Sequence, residues 1–204
     1  IKIIAHDLEK QFKNQDDVKK DIQLLSSQVE RCNEILKRLT LNPVEEDEFI
    51  DKDISMKDYL SEIITSFKEI SQKKFIFNHD QFSNQKKITK SIEIVYGLRN
   101  FIGNANKFSK DKIHITLKSD SEITEITIED DGNGYPKDVL SKIGEPYLRT
   151  KDPIDKSKTG LGLGLFIGKT LLEKNFASIN CRNSKTRSGA EVIIKWNNKD
   201  LFNI

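Results

Sequence analysis

The chain has 204 residues, with 34 basic and 32 acidic side chains and a formal net charge of +2. That balance gives no electrostatic case for a nucleic-acid partner, and no apolar run approaches the roughly 20 residues needed to span a bilayer. The cysteines, Cys32 and Cys181, lie too far apart to form a disulfide framework or a metal-ligand pattern, which fits a reducing compartment.

The sequence starts at Ile1, in mid-pattern. This predicts a fragment whose N-terminal part, with any membrane anchor, lies upstream. Residues 1–13 read as the end of a helix, with Ile1, Ala5, Leu8 and Phe12 on one stripe. A polar turn follows at 13–17, with Asp16 as a helix cap. Val18, Ile22, Leu25, Val29, Cys32, Leu36 and Leu39 then recur at alternating gaps of four and three, a heptad seam. Two helices joined by a short turn make an antiparallel hairpin. A second copy of the hairpin would close a four-helix bundle, so a homodimer is expected. Asn42-Pro43 and the acidic run after it mark a boundary. The expected domains are a dimerisation hairpin (1–41), a linker (42–54) and a second domain (55–204).

That second domain reads as α+β. A helix is expected over 55–70 and a strand over 73–79. A longer helix follows over 88–107, with Ile92, Val95, Leu98, Ile102 and Ala105 on one face. Strands at 112–118 and 123–129 alternate isoleucine and leucine with polar residues. A short helix at 136–142, a polar loop at 145–159 and a helix at 162–174 come next. Strands at 177–183 and 190–196 finish the domain. Helices on one face of a mixed, mostly antiparallel sheet is the simplest arrangement.

Three stretches carry chemistry. In the first, Asn100, Asn104 and Lys107 share one face of the long helix. An amide oxygen suits Mg²⁺, and a lysine one turn away suits phosphate. In the second, Asp130 ends a strand and is followed by Gly132 and Gly134, a carboxylate beside bare backbone. In the third, Gly160, Leu161, Gly162, Leu163, Gly164 and Leu165 run into a helix N-terminus. There unpaired N–H groups and the helix dipole favour an anion. Taken singly, the first reads better as a solvated helix face and the second as an ordinary turn, and none of the three is specific.

Their order and spacing resemble the ATP-binding domain of sensor histidine kinases, over roughly residues 55–197. The resemblance implies Asn104 on Mg²⁺, with Asn100 and Lys107 helping at metal and phosphates. It implies that Asp130 accepts from the adenine amino group and that Gly132 and Gly134 shape the adenine pocket. It also implies that 145–159 is a mobile lid and that the glycine–leucine run closes over the phosphates. Arg149 and Thr150 would reach phosphate, although Gly144 and Tyr147 stand where the family often has two phenylalanines. Gly189 matches the last glycine box. ATPase relatives carry a glutamate base four residues before the metal asparagine. Asn100 stands there instead, which favours phosphoryl transfer over hydrolysis.

His6-Asp7 is a possible phosphoacceptor, but Glu9-Lys10-Gln11 replaces the family's Thr/Asn-Pro-Leu. The second hairpin helix, about 24 residues or roughly 36 Å, also outruns the first by a dozen or so. The acceptor is therefore expected upstream of Ile1. Glu30-Arg31-Cys32 and the residues around it are similar to RegB/PrrB-type redox-responsive kinases, which implies a redox role for Cys32. The expected partners are a second copy of the chain and a response-regulator receiver domain. The expected place is the cytoplasmic portion of an inner-membrane-anchored protein. The alternatives are an ATPase or switch protein of the same fold, and a nucleotide-binding scaffold without transfer activity.

Overall fold

Alternation along the strands decides which face of the sheet is buried. In the computed structural model, residues 54–80, 87–88, 91–145 and 163–202 are described. They begin with β1 (Ile54–Ser55), α1 (Met56–Lys68), β2 (Lys74–His79) and β3 (Lys87–Ile88). The long helix α2 (Ile92–Phe108) leads to β4 (Lys112–Ser119) and β5 (Ile123–Asp130). The short α3 (Lys137–Leu140), then α4 (Gly164–Lys174), β6 (Ser178–Asn183), β7 (Ala190–Asn197) and the short α5 (Asn198–Leu201) complete them. The chain divides into two units, Ile1–Glu48 and Phe49–Ile204. The heptad seam, His6 and Cys32 lie outside the described residues.

The main sheet has strand order β2-β4-β5-β7-β6. β2 runs parallel to β4 and every other pair is antiparallel, so the sheet is mixed and mostly antiparallel, as expected. Ile113, Ile115 and Leu117 of β4, Ile126 and Ile128 of β5, and Val192 and Ile194 of β7 are buried on one face. The register sets Ile115 against Ile128 and Ile128 against Val192, so these side chains form continuous rows. Burying each is worth about 1.5–3 kcal/mol relative to leaving it exposed. Leu98, Phe101 and Ile102 of α2, Leu60 and Ile64 of α1, and Leu172 of α4 complete the core on that face.

Helix ends follow local capping chemistry. The Ser55 hydroxyl accepts from the Asp58 amide at the start of α1, and the Ser91 hydroxyl accepts from the Ile94 amide at the start of α2. The observed α2 starts later than the sequence pattern implied. Lys87–Ile88, where the pattern placed the helix start, instead pairs antiparallel with Ile54–Ser55 in a two-stranded ladder. Two-residue strands carry too little alternation to be seen in sequence. The α5 turn went unseen for the same reason. Its Asn198 is buried and receives the Thr124 hydroxyl at 2.7 Å.

The exit from α4 is strained. The Phe176 amide donates to the Glu173 carbonyl at 3.0 Å, and the Ala177 amide reaches back to Leu172 at 2.9 Å. This pattern normally places glycine in the left-handed position. Here Phe176 sits there at φ 61°, with its ring 65% exposed. Phe176→Gly is expected to stabilise the domain by about 0.5–1 kcal/mol, raising Tm by roughly 1–4 °C. Phe176→Ala, which keeps the strained backbone, should give no such gain in a thermal melt.

Candidate functional site

Asp130, the last residue of β5, is 3% exposed. Its Oδ1 accepts from the Gly132 amide at 2.8 Å and from the Ala190 amide at 3.2 Å. Its Oδ2 bonds no group among the described residues. Burial pushes this carboxyl above the usual aspartate range, against the opposing pull of those two amides. A buried carboxylate with one oxygen committed to backbone and the other uncommitted is a ready acceptor for a donor on a ligand.

Two glycines make room for that geometry. A Cβ on Gly189 would strike the carbonyl and carboxylate of Asp130, and one on Gly132 would strike the Phe108 carbonyl. The loop after β5 is then held on both sides. Asp131 takes the amides of Lys110, Asp111 and Lys112 on its carboxylate, at 2.7 to 3.2 Å. Asn183, at the end of β6, grips Tyr135 twice: Oδ1 accepts its amide at 2.6 Å and Nδ2 donates to its carbonyl at 3.0 Å. Gly134 packs against the same asparagine at φ 73°, a conformation open to glycine. Sequence reasoning passed over Asp131, Asn183 and the packing glycines below, because each acts through distant backbone that one sequence does not reveal.

Helix α2 brings the asparagines to the same end of the sheet, where it runs into β4 beside the end of β5. The Asn100 Nδ2 donates to the Tyr96 carbonyl at 2.8 Å, which fixes the amide and sets its Oδ1 beside Gly164. Asn104, one turn on, is half-buried and its side chain has no hydrogen bond among the described residues. Lys107 lies a further turn along, its ammonium 5.3 Å from the Phe108 ring centroid.

Helix α4 packs tightly on α2. A Cβ on Gly97 would lie 2.5 Å from Leu172, and one on Gly168 would lie 3.0 Å from Asn100 and 3.2 Å from the Gly97 carbonyl. This close approach sets the first turn of α4 against the asparagine face, with Gly164 beside the Asn100 amide oxygen. That first turn carries no acidic residue, and Leu163 supplies no side-chain cap. Its amides therefore keep their affinity for an anion.

Asn100, Asn104, Lys107, Asp130, Gly132, Gly134, Leu163, Gly164 and Leu165 fall within the described residues. Arg149, Thr150, Gly160, Leu161 and Gly162 lie outside them, as does Tyr147. Gly144, read as a lost aromatic position, stands in the left-handed region at φ 94° with its Cα side against Lys169. An aromatic there would be strained, so glycine is what this turn requires.

No group of three or more His, Cys, Asp or Glu forms a metal cluster among the described residues. No described helix is long and apolar enough to cross a membrane. The outward His114 is tied to Arg187 at 3.3 Å, and His79 to the adjoining Asp80 carbonyl. Cys181 is held against Tyr135, and burial pushes its thiol up to about 11. Cys181 should therefore resist a thiol-reactive disulfide reagent in the folded protein and react on unfolding, read by absorbance.

The profile of histidine kinase-, DNA gyrase B- and HSP90-like ATPases matches residues 89–200. The chain is 27% identical over 214 residues to the sensor histidine kinase RegB of Cereibacter sphaeroides, an alignment covering 96% of this chain and 46% of RegB. The chain thus spans about half the length of that relative. Among solved structures, the mycobacterial sensor histidine kinase MprB matches with a TM-score of 0.60 at 17% identity, covering 72% of this chain and 97% of MprB. The full-length kinase ShkA, solved with AMPPNP, matches with a TM-score of 0.61 at 18% identity, covering 95% of this chain and 41% of ShkA. The Asp130 pocket, the paired asparagines and the glycine-led helix are thus set in a known frame: the chain belongs to the family of histidine kinase-, DNA gyrase B- and HSP90-like ATPases, with an ATP-binding domain of the sensor-kinase type.

Proposed function

We propose that this chain is the catalytic region of a dimeric sensor histidine kinase that binds Mg-ATP and transfers its γ-phosphoryl group to a histidine of the intact protein. From there the group passes to an aspartate of a response-regulator receiver domain. The observation that carries the reading is the Asp130 carboxylate, anchored through Oδ1 and open at Oδ2. An exocyclic adenine amino group donates there, and a guanine carbonyl at the same place would meet a second acceptor. The α4 amides and Lys107 would serve the phosphates, and the sequence resemblance assigns Arg149, Thr150 and the run Gly160–Leu165 to the same task. Asn104, an uncommitted hard oxygen donor, is the residue that would hold Mg²⁺. When bound, that ion offsets charge on the β- and γ-phosphates.

Asn100 separates transfer from hydrolysis. An amide does not take a proton at neutral pH, so Asn100 does not act as a general base that activates water. Its Nδ2 is spent on the Tyr96 carbonyl, which leaves an oxygen that orients groups without accepting a full proton transfer. The γ-phosphoryl group then waits for a nucleophile brought by the protein, a histidine ring nitrogen.

The acceptor lies ahead of Ile1, because the hairpin sequence carries no His-Glu/Asp-Leu-x-Thr-Pro-Leu box. RegB's greater length is consistent with that placement and with a membrane anchor ahead of a cytoplasmic catalytic region. Similarity to RegB also supports a redox role for Cys32. The experiment is incubation of the intact protein, and of this chain alone, with γ-labelled ATP. Acid-labile, base-stable label on the intact protein alone is expected. Label on His6 of this chain would overturn the placement of the acceptor, and phosphate release without any label would overturn transfer.

A further inference from the structure

We infer that Asp131 is a positioning residue that sets the adenine-binding acceptor and the metal-binding helix in register, so that one nucleotide engages both. The inference rests on the nucleotide-binding reading above.

Asp131 follows the adenine acceptor Asp130 directly, and its carboxylate takes three consecutive backbone amides. Oδ1 accepts from Lys110 at 2.7 Å and Asp111 at 3.0 Å, and Oδ2 accepts from Asp111 at 3.2 Å and Lys112 at 3.0 Å. Lys110 and Asp111 lie in the turn between α2 and β4, and Lys112 is the first residue of β4. α2 carries Asn104 and Lys107, four residues and one residue before its C-terminal end at Phe108. Charge-assisted bonds to backbone are short and directional, and three amides leave the carboxylate a single position. A second fastener acts on the same turn: the Lys73 ammonium donates to the Ser109 carbonyl and, at 3.0 Å, to its hydroxyl.

The adenine side of the pocket has its own supports. Ala190 holds Asp130, and Asn183 holds Tyr135 through two bonds. Loss of Asp131 therefore leaves the adenine acceptor in place and loosens the helix end, which is then fastened by Lys73 without the three-amide clamp. A ligand that touches one side only will not sense the change, whereas a ligand that spans both sides will. This distinguishes positioning from a general loss of stability, which would weaken both alike.

The test is calorimetric titration of the full chain, wild type and variants, with adenosine and with a non-hydrolysable ATP analogue in Mg²⁺. In Asp131→Ala, adenosine affinity should hold within about twofold while the ratio of analogue to adenosine affinity falls about tenfold. Asp131→Asn keeps one acceptor oxygen and should fall between the two. It also serves should the alanine variant fail to fold. An unchanged ratio in both variants, or an equal loss for both ligands, overturns the positioning role while the nucleotide reading stands. A wild-type chain that binds neither ligand overturns both.

Discussion

Asp130→Asn is expected to weaken ATP binding by roughly 10- to 150-fold while leaving the fold intact. Asparagine has nearly the shape of aspartate but one acceptor oxygen. In the free protein that oxygen can take the Gly132 and Ala190 amides, which Oδ1 of Asp130 takes now. The side-chain NH₂ then faces the ligand, so a donor meets the adenine amino donor. Rotating the amide would turn the NH₂ onto two backbone donors instead. Neither arrangement serves both sides, and losing a hydrogen bond to a charged acceptor costs about 1.5–3 kcal/mol, a drop in affinity of roughly 10- to 150-fold. Thermal stability should stay level or rise slightly, because a buried charge has gone.

The pH dependence has two opposite signs. Burial raises the Asp130 pKa above the usual aspartate value, so the folded state holds this proton more tightly than the unfolded chain. The contribution of Asp130 to stability is therefore most favourable below the ordinary aspartate pKa and is lost as pH rises through the raised value. Nucleotide binding runs the other way. Protonated Oδ2 is a donor, so affinity should strengthen as pH rises through that same range. Titrations and melts across mildly acidic buffers read the two effects separately.

Gly189→Ala is the second large effect. The added methyl would sit inside the contact distance of the Asp130 carbonyl and carboxylate, both fixed by the strand and by backbone bonds. Neither neighbour is a flexible side-chain tip. Overpacking of this kind costs about 1–3 kcal/mol or more, a fall in Tm of roughly 2–12 °C. ATP affinity should fall with it, because relief requires moving the carboxylate itself. A variant that melts and binds like the wild type would show that the contact between Gly189 and Asp130 is loose enough to admit a methyl group.

Much of this frame is legible in the residues because the strong patterns are local. The alternation of Ile113, Ile115 and Leu117 gave the strand, and the spacing of Val95, Leu98, Ile102 and Ala105 gave the helix. Asn104 and Asp130 stood out because polar residues in fixed relation to apolar ones draw notice. What stayed hidden acts across sequence. Asn183 meets Tyr135 48 positions away, and Gly97 meets Leu172 through the packing of two helices. The parallel pairing of β2 with β4 is equally silent in the strand sequences, since it depends on the α2 crossover between them.

The measurement that bears most directly on the whole account is isothermal titration of the full chain with a non-hydrolysable ATP analogue, run with magnesium and with chelator. One site per chain is expected, with adenine over guanine preference and a clear gain in affinity from the metal. Heat indistinguishable from dilution, or binding indifferent to both the base and magnesium, would contradict it.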